Sequence, residues 1–339
     1  MKEPNEKINS HAKAQTLDEL LDGCPDNQII QDSLVKSWAV INNDKYDKRL
    51  ICSISGGSDS DIMFDIVWRC DKDNKVDYVW FDTGLEYQAT KDHLKYIENK
   101  YKITILRKRP KIPIPKSCKD FGQPFISKNV SECMSRLQRH GFEWKDEPFD
   151  ALYRKYPKCK SALQWWCNFN QSDNFNIRRN KYLKEFILEN NPTFKISNKC
   201  CKYAKKYLIH NLLKEENYDL NIFGVRKSEG GIRTTAYKSC FDEADKYDNY
   251  RPLFWYKDSD KEDYEKAYGI VHSDCYTEYG LKRTGCCGCP YGRDFEEELE
   301  VINEYEPKLY KAVNNIFKDS YEYTRKYREF RKMMENKQM

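Results

Sequence analysis

The chain has 339 residues, of which 33% are charged and 14% are aromatic, so Tyr, Phe and Trp side chains can supply a sizeable core. No apolar run is long enough to cross a membrane, and residues 1–6 lack the apolar character of a signal peptide. We therefore expect a cytoplasmic protein with no membrane partner. Its 14 cysteines favour metal binding or catalysis over a disulfide framework in such a setting.

The net charge of +5 is unevenly distributed along the chain. Residues 101–210 contain 24 Lys and Arg against 9 Asp and Glu, a surplus of +15, so the rest of the chain is acidic. A basic segment of this kind indicates a polyanionic partner such as nucleic acid. A solvated, lysine-rich surface accounts for the same composition, and the sequence does not decide between the two.

The predicted elements begin with helices. Thr16 is placed to cap a short helix, with Glu19 three residues later, and residues 26–43 place apolar side chains on one helical face. We expect residues 1–45 to form an N-terminal helical segment that packs beside the main sheet.

A strand, a glycine-rich loop and a helix follow. Residues 48–55 are predicted as a buried strand and residues 60–69 as a helix. The connection between them is Ser55-Gly56-Gly57-Ser58-Asp59-Ser60. The glycine pair permits a tight turn, and the free N–H groups of the helix start bind anions, so the loop predicts a phosphate cradle. It is not a Walker A loop, because it contains no lysine; a serine-rich turn without a ligand is the alternative.

Further strands alternate with helices. Strands are predicted over 76–81, 103–106 and 220–224, and a helix over 87–101. This alternation predicts the α/β fold class, with a parallel twisted sheet and helices on both faces. Because ligands of such sheets bind at the carboxyl ends of the strands, the glycine-rich loop and Asp82-Thr83-Gly84 are expected at one edge.

The middle of the chain interrupts this pattern with a basic insertion at about 107–190. Pro110, Pro113 and Pro115 disfavour a helix or a central strand, so residues 107–128 are predicted as a long loop. Later helices are predicted over 131–140, near 161–168, over 177–190, from Cys200 to about 216, near 261–268 and beyond 290. We expect residues 46–293 to form the main domain and residues 294–339 a C-terminal helical extension.

Two groups of cysteines have the spacing of metal ligands. Cys286 and Cys289 form a Cys-x-x-Cys pair among glycines and a proline, and Cys200-Cys201 begins a basic helix whose dipole and Lys202 favour thiolates. Four thiolates fit either a zinc site or an iron–sulfur cluster. Cys287 is a competing ligand, and reduced thiols without a metal are the alternative.

These motifs resemble those of a known family. The loop at residues 55–60 resembles the PP-loop of the ATP pyrophosphatase superfamily, and about residues 48–293 are similar to its phosphoadenosine phosphosulfate (PAPS) and adenylylsulfate reductases. The other similar stretches are Phe81-Asp82-Thr83-Gly84-Leu85-Glu86, Gly224-Val225-Arg226 with the later Arg233, and Pro252-Leu253-Phe254-Trp255. A Cys-Cys pair followed by Cys-x-x-Cys resembles the cluster pattern of adenylylsulfate reductases and of DNA phosphorothioation enzymes.

The resemblance implies cofactors and roles. It implies a [4Fe–4S] cluster on Cys200, Cys201, Cys286 and Cys289. It implies that ATP or a sulfonucleotide is bound by Ser55, Gly56, Gly57, Ser58, Asp59, Ser60, Asp82, Thr83 and Gly84. Mg²⁺ is expected near Asp59 or Asp82, and the residues expected to act in catalysis are Asp59, Arg226 and Arg233.

Three functions agree with these expectations. The first is an enzyme that adenylates a substrate, nucleic acid included, for displacement by sulfur from a donor protein. The second is a sulfonucleotide reductase that releases sulfite. The third is a nucleotide- or nucleic-acid-binding component of a larger complex without activity of its own.

A reductase needs a free cysteine that can reach the bound sulfonucleotide. The last cysteine of the printed sequence, Cys289, is an expected cluster ligand, and the following residues read as a basic helix. Cys240 and Cys275 lie in segments predicted to be irregular and could take the nucleophile's place. We therefore expect the chain not to be an assimilatory sulfonucleotide reductase.

Overall fold

A computed structural model describes residues 13–46, 49–230 and 236–337. Its six strands form one sheet in the order β3-β2-β1-β4-β6-β5, in which all neighbours are parallel except β5 and β6. The strands are β1 (Arg49–Ile54), β2 (Val76–Phe81), β3 (Ile105–Lys108), β4 (Tyr218–Phe223), β5 (Phe241–Asp242) and β6 (Asp248–Tyr250). The α/β fold class is confirmed.

The first helices in chain order are α1 (Leu17–Leu21), α2 (Gln28–Ile41), α3 (Ser58–Cys70), α4 (Gln88–Tyr101), α5 (Ile114–Phe121), α6 (Lys128–Arg139), α7 (Phe149–Lys155), α8 (Lys160–Trp166) and α9 (Leu183–Glu189). The later ones are α10 (Lys199–Cys201), a π-helical turn (Lys202–Lys206), α11 (Tyr207–Glu215), α12 (Asp258–Tyr268), α13 (Asp274–Thr277), α14 (Phe295–Tyr305) and α15 (Pro307–Asn336). Among the described residues, no helix is both long enough and apolar enough to span a bilayer.

Helices cover both faces of the sheet because its strands are apolar on both sides. On one face, Leu50 and Cys52 of β1 pack in a cluster with side chains of α2, α3, α4 and α12. On the other face, Ile51 of β1 packs with Leu212 and Leu213 of α11. The expected helices on both faces are therefore present.

The chain divides into two compact units. The first comprises residues 1–82, 86–109 and 208–285 and holds the whole sheet. The second comprises residues 83–85, 110–207 and 286–339. Its core contains the fully buried rings of Trp165, Trp166, Phe125 and Phe186.

The prediction of a loop over 107–128 was wrong for its central part, where residues 114–121 form helix α5. Pro115 lies in the first turn of that helix. A proline is tolerated there because its missing N–H has no intrahelical acceptor to lose. The prolines therefore mark the start of a helix, and Gly122, with a φ of 111°, ends it.

The helical C-terminal extension is confirmed, since α14 and α15 fill most of residues 295–336. The strands β5 and β6 were missed because residues 240–250 are polar and short of alternating apolar side chains. The domain boundaries at residues 45 and 293 stay predictions.

Candidate nucleotide site and cysteine cluster

The glycine-rich loop lies at the point where the order of the strands in the sheet reverses. From β1 the chain proceeds through α3 to β2 on one side, and β4 later joins the other side of β1. In an open parallel sheet the crevice beyond the carboxyl ends of two such strands is the usual ligand site. Residues 55–60 follow β1 at this point, and Arg226 follows β4.

Local contacts fix the shape of the loop. Gly56 has a φ of 70°, a left-handed conformation that favours glycine, and a Cβ there would lie 2.8 Å from Thr90 Cγ2. The Ser55 N–H donates to Ser60 Oγ at 2.8 Å. Gly57 caps the 13-residue helix α3 without a side-chain hydrogen bond, so the first amides of α3 remain directed at the loop. This is the arrangement that binds phosphate.

A lysine that the loop lacks comes from α12. Lys261 Nζ lies 3.0 Å from Ser58 Oγ and 2.6 Å from Asp59 Oδ1. Sequence reasoning missed Lys261, which is 203 residues away from Ser58 in the chain and belongs to no local motif. A cation of this kind can attract nucleotide phosphates much as a P-loop lysine does.

Arg226 joins Lys261 and Asp59 in an ion-pair group of four residues, of which Asp258 is the fourth. Its Nε lies 2.7 Å from Asp59 Oδ2, and a second guanidinium nitrogen lies 2.7 Å from Asp258 Oδ1. Burial alone would raise the pKa of Asp59, but hydrogen bonds from Lys261 and Arg226 hold it below its ordinary value. The structure thus brings Asp59 and Arg226 together, with both carboxylate oxygens of Asp59 engaged by cations.

The other expected nucleotide residues are placed differently. Asp82 ends β2 in the first unit and accepts from Arg109 Nε at 2.8 Å. Thr83 and Gly84 are grouped with the second unit, where Thr83 Oγ1 lies 3.8 Å from Cys286 Sγ. Arg233 lies outside the described residues.

Two further hydroxyl groups face Gly57. Thr284 Oγ1 and Tyr276 Oη lie 2.8 Å apart, and each is 3.2 Å from the position that a Gly57 Cβ would take. The Tyr276 oxygen also accepts from the Ser58 N–H, although burial keeps the pKa of this phenol above its ordinary value. Sequence reasoning missed both residues, because nothing in residues 270–285 marks them as part of the site.

A series of mostly buried acidic and histidine side chains lies next to the loop. Asp61 of α3 lies 2.8 Å from His272 Nδ1 and 3.1 Å from His93 Nε2, and His272 Nε2 is 3.1 Å from Glu265 Oε1. Burial lowers the pKa of His272, but the carboxylates of Asp61 and Glu265 more than offset this and raise it to about 9. His272 is thus a cation at neutral pH, and its ring lies 5.9 Å from that of Tyr276.

The second unit brings the expected cluster cysteines together. The thiol of Cys200 shares hydrogen bonds with Cys118 and Cys201, and Cys118 in particular raises the pKa of Cys200. Burial and the neighbouring Cys286 raise the pKa of Cys289 to about 12. Cys201 also interacts electrostatically with Cys289.

Cys118 of α5 was missed, because it stood alone in a segment predicted as a loop. None of the five cysteines is in a disulfide, and soft thiolate donors in this number fit an iron–sulfur cluster or zinc. Within the described ranges, however, no group of three or more Cys, His, Asp or Glu side chains is arranged to hold a metal ion. The thiolate chemistry fits a cluster but the described arrangement does not itself form a metal site, so the cluster and its ligand assignment stay predictions.

The choice between Cys286 and Cys287 has one structural indication. Cys287 is fully buried, and its amide donates to the Leu85 carbonyl at 2.9 Å. Cys286 is half-buried and acts electrostatically on Cys289. This favours Cys286 as the partner of Cys289.

Comparison with known proteins agrees with the site. Residues 49–136 match the family model described as the phosphoadenosine phosphosulfate reductase domain. This stretch holds the PP-loop, Asp82-Thr83-Gly84 and the first three strands, so the predicted resemblance to the PAPS reductase-like PP-loop family is confirmed. No curated protein matches the chain.

Two solved structures are similar to the chain. One is phosphoadenylyl-sulfate (PAPS) reductase from Candida auris in a phosphate complex, with 14% identity, a TM-score of 0.39 and coverage of 81% of this chain and 96% of that chain. The other is the U34-tRNA thiolase NcsA from Methanococcus maripaludis with its [4Fe-4S] cluster. The identity is 12%, the TM-score is 0.36, and the match covers 88% of this chain and 78% of that chain. We draw no functional argument from likenesses at this level.

Proposed function

We propose that the chain is a PP-loop enzyme that binds ATP and adenylates a substrate, from which a sulfur nucleophile then displaces AMP. The observation that carries the proposal is the convergence of Lys261 and Arg226 on Asp59 at the N-terminus of α3. Two cations beside the N-terminal amides of a helix favour a polyphosphate over a neutral ligand. The family match over residues 49–136 supports an adenine nucleotide as that ligand.

In this proposal the chain's own residues position and neutralise the phosphates. The α3 amides and the hydroxyls of Ser55, Ser58 and Ser60 bind phosphate oxygens. Lys261 and Arg226 stabilise the charge that develops as a substrate oxygen attacks the α-phosphorus and pyrophosphate leaves. Asp59 holds both cations in place before the nucleotide arrives.

Mg²⁺ and a [4Fe–4S] cluster are the implied cofactors. Asp82, or Asp59 after release of a cation, would hold Mg²⁺, which neutralises phosphate charge when bound. Cys200, Cys201, Cys286 and Cys289 would hold the cluster, which supplies redox-active iron. Thr83, beside Cys286, belongs to the surroundings of that cluster in this proposal.

A second candidate function is sulfonucleotide reduction, which the family match itself favours. It differs from the first in the ligand of the PP-loop, which would be adenylylsulfate or its 3′-phosphate form, and in the product, which would be sulfite. A third, a nucleotide-binding component without activity, differs from both in having no turnover.

Exchange of labelled pyrophosphate into ATP tests the first proposal. Exchange requires reversible formation of an adenylate, so it should occur with an added acceptor and be lost in Gly57→Val. Tight ATP binding without exchange for any acceptor would favour the third function. Sulfite release from a sulfonucleotide in the presence of thioredoxin would favour the second.

A further inference from the structure

The second unit carries a cluster of lysines and aromatic rings beside its cysteines. We define the lysine–aromatic surface as the side chains of Phe121, Tyr203, Tyr207, Lys199, Lys202 and Lys206. It is built from the end of α5, from α10, from the π-helical turn and from the first residue of α11, all within one unit.

The rings of this surface form a continuous series. Phe121 and Tyr203 are stacked, with centroids 5.1 Å apart and planes 28° apart. Tyr203 meets Tyr207 edge-on at 5.3 Å. Tyr207 ends the series and is 41% exposed. An exposed tyrosine at the end of such a series offers an aromatic ring to a ligand.

Positive charge surrounds the rings. Lys199 Nζ lies 4.2 Å from the Phe121 centroid, and Lys202 Nζ lies 5.1 Å from that of Tyr207. Residues 195–207 contain five lysines and no acidic residue. The nearest acidic side chains on α5 and α6, Asp120 and Glu132, pair with Lys116 and Arg136. The lysines of the surface thus keep a local excess of positive charge.

The backbone geometry sets the direction of these side chains. Residues 202–206 form a π-helical turn between α10 and α11. Such turns are rare and often occur at functional sites, because the extra residue turns the following side chains away from the normal helical positions. Here Cys200, before the turn, is buried, whereas Lys205 and Lys206 within the turn and Tyr207 directly after it are exposed.

We propose that the lysine–aromatic surface binds single-stranded nucleic acid, with lysines on phosphates and a base on Tyr207. Aromatic platforms with a basic rim bind single strands because every base has a π-face and every nucleotide a charge. Neutral or cationic ligands would gain nothing from the charge of the lysines. Binding at this surface does not depend on the proposed function. One consequence does rest on it, namely that the acceptor of adenylation or of sulfur is a nucleic acid.

The surface also has a defined place relative to the cysteines. Cys118 is one turn before Phe121 on α5, and Cys201 directly precedes Lys202. A strand bound here would therefore run past the cysteine cluster. A sulfur-transfer reaction at that cluster needs its acceptor in such a position.

The test is fluorescence anisotropy of a labelled oligo(dT) of about 20 nucleotides with the full chain, at salt concentrations from about 50 to 200 mM. We expect binding that weakens with salt. Lys202→Glu combined with Lys206→Glu should weaken it at least tenfold and reduce the slope of log K against log salt by about 1.4. Lys311→Glu combined with Lys318→Glu, an equal charge change on exposed positions of α15, should leave it within about twofold.

Tyr207 separates stacking from charge. Tyr207→Ala should weaken oligo(dT) binding about five- to 150-fold with an unchanged salt slope, and Tyr207→Phe should restore it. A duplex of the same length should bind more weakly than the single strand. Thermal melting of each variant identifies any that fail to fold, and Tyr207→Leu, which keeps an apolar side chain but lacks the ring, replaces Tyr207→Ala if that variant is among them.

Several outcomes would overturn the inference. They are an absence of oligo(dT) and oligo(rU) binding at about 50 mM salt, equal losses in the two lysine pairs, no loss in a folded Tyr207→Ala variant, or a preference for duplex. Gly57→Val distinguishes this inference from the proposed function. It should abolish ATP binding and leave the oligo(dT) affinity unchanged.

Discussion

Lys261 of α12 and Asp59 of the PP-loop form an ion pair of 2.6 Å, so a residue far along the chain supplies the cation that the loop itself lacks. Asp59 pairs with Arg226 through its other oxygen. The carboxylate thus holds two cations at the start of α3. This relationship turns a glycine-rich turn into a site with the charge to bind a polyphosphate.

The first prediction concerns Lys261. Lys261→Met keeps the length and apolar stem of the side chain but removes its charge, so it should weaken ATP binding by about 1.5–3 kcal/mol, the usual contribution of a hydrogen bond to a charged group. Calorimetric titration measures the change. Lys266→Met, an exposed position on the same helix, is the matched control. Equal affinities in the two variants would remove Lys261 from the site.

The second prediction concerns His272. Its pKa of about 9 in the folded chain lies above the value of about 6.5 expected when unfolded, so the stability it contributes is full below pH 6.5 and is lost as the pH rises to 9. The integrated effect is at most about 3 kcal/mol. The melting temperatures of wild type and His272→Gln, measured between these pH values, should converge as the pH rises.

Asp61 and Glu265 pair with His272, His93 pairs with the same Asp61, and the ring of Tyr276 lies 5.9 Å from that of His272. Because the cysteine thiols titrate in both proteins, the difference between the two melting curves isolates His272. A constant difference from pH 6 to 9.5 would show that folding does not raise the pKa of His272.

The third prediction concerns iron. Anaerobically purified protein should be brown and contain about four iron atoms per chain, as a [4Fe–4S] cluster requires. Cys200→Ser and Cys286→Ser should lose the iron, whereas Cys118→Ser and Cys287→Ser should keep it. Cys70→Ser is the control, because Cys70 is a buried core residue that lies far from all of these cysteines in the sequence. Stoichiometric zinc without iron, or iron lost with Cys287→Ser, would contradict this ligand assignment.

The fourth prediction is that the chain does not release sulfite over many turnovers from adenylylsulfate or its 3′-phosphate form with thioredoxin. The two candidate nucleophiles outside the cluster are poorly placed to attack a bound ligand. Cys275 is fully buried, with its sulfur 3.6 Å from Thr90 Oγ1, and Cys240 packs against the sheet core. Sustained sulfite release would overturn the prediction, and its loss in Cys275→Ser or Cys240→Ser would identify the nucleophile.

Local patterns were sufficient for the part of the site that lies in one stretch of chain. The strand, loop and helix at residues 49–70 were predictable because the apolar period, the glycine pair and the helix start fall in sequence. Lys261, Tyr276 and Thr284 were not, since only the packing of distant segments brings them to Gly57 and Asp59. No local rule marks a residue whose role depends on a contact 200 residues away.

Two misses have more specific physical causes. Pro115 hides helix α5 in the sequence, because a proline usually predicts the end of a helix, although a proline in the first turn is favourable. Cys118 was overlooked with it. The π-helical turn at residues 202–206 leaves no clear signal in composition, so the separation of Cys200 from the exposed lysines could only be seen in the structure.

Titration of ATP into wild type, Gly57→Val and Gly285→Val by calorimetry tests the central claim most directly. Gly57 has a φ of −95°, which any residue adopts, so the variant should fold, but its side chain would enter the space between Ser55, Tyr276 and Thr284. Gly285 has open space at its Cβ position and is the control. The PP-loop assignment predicts that ATP binds to wild type and Gly285→Val and not to Gly57→Val. Equal ATP affinity in all three proteins, each with an intact thermal transition, would contradict it.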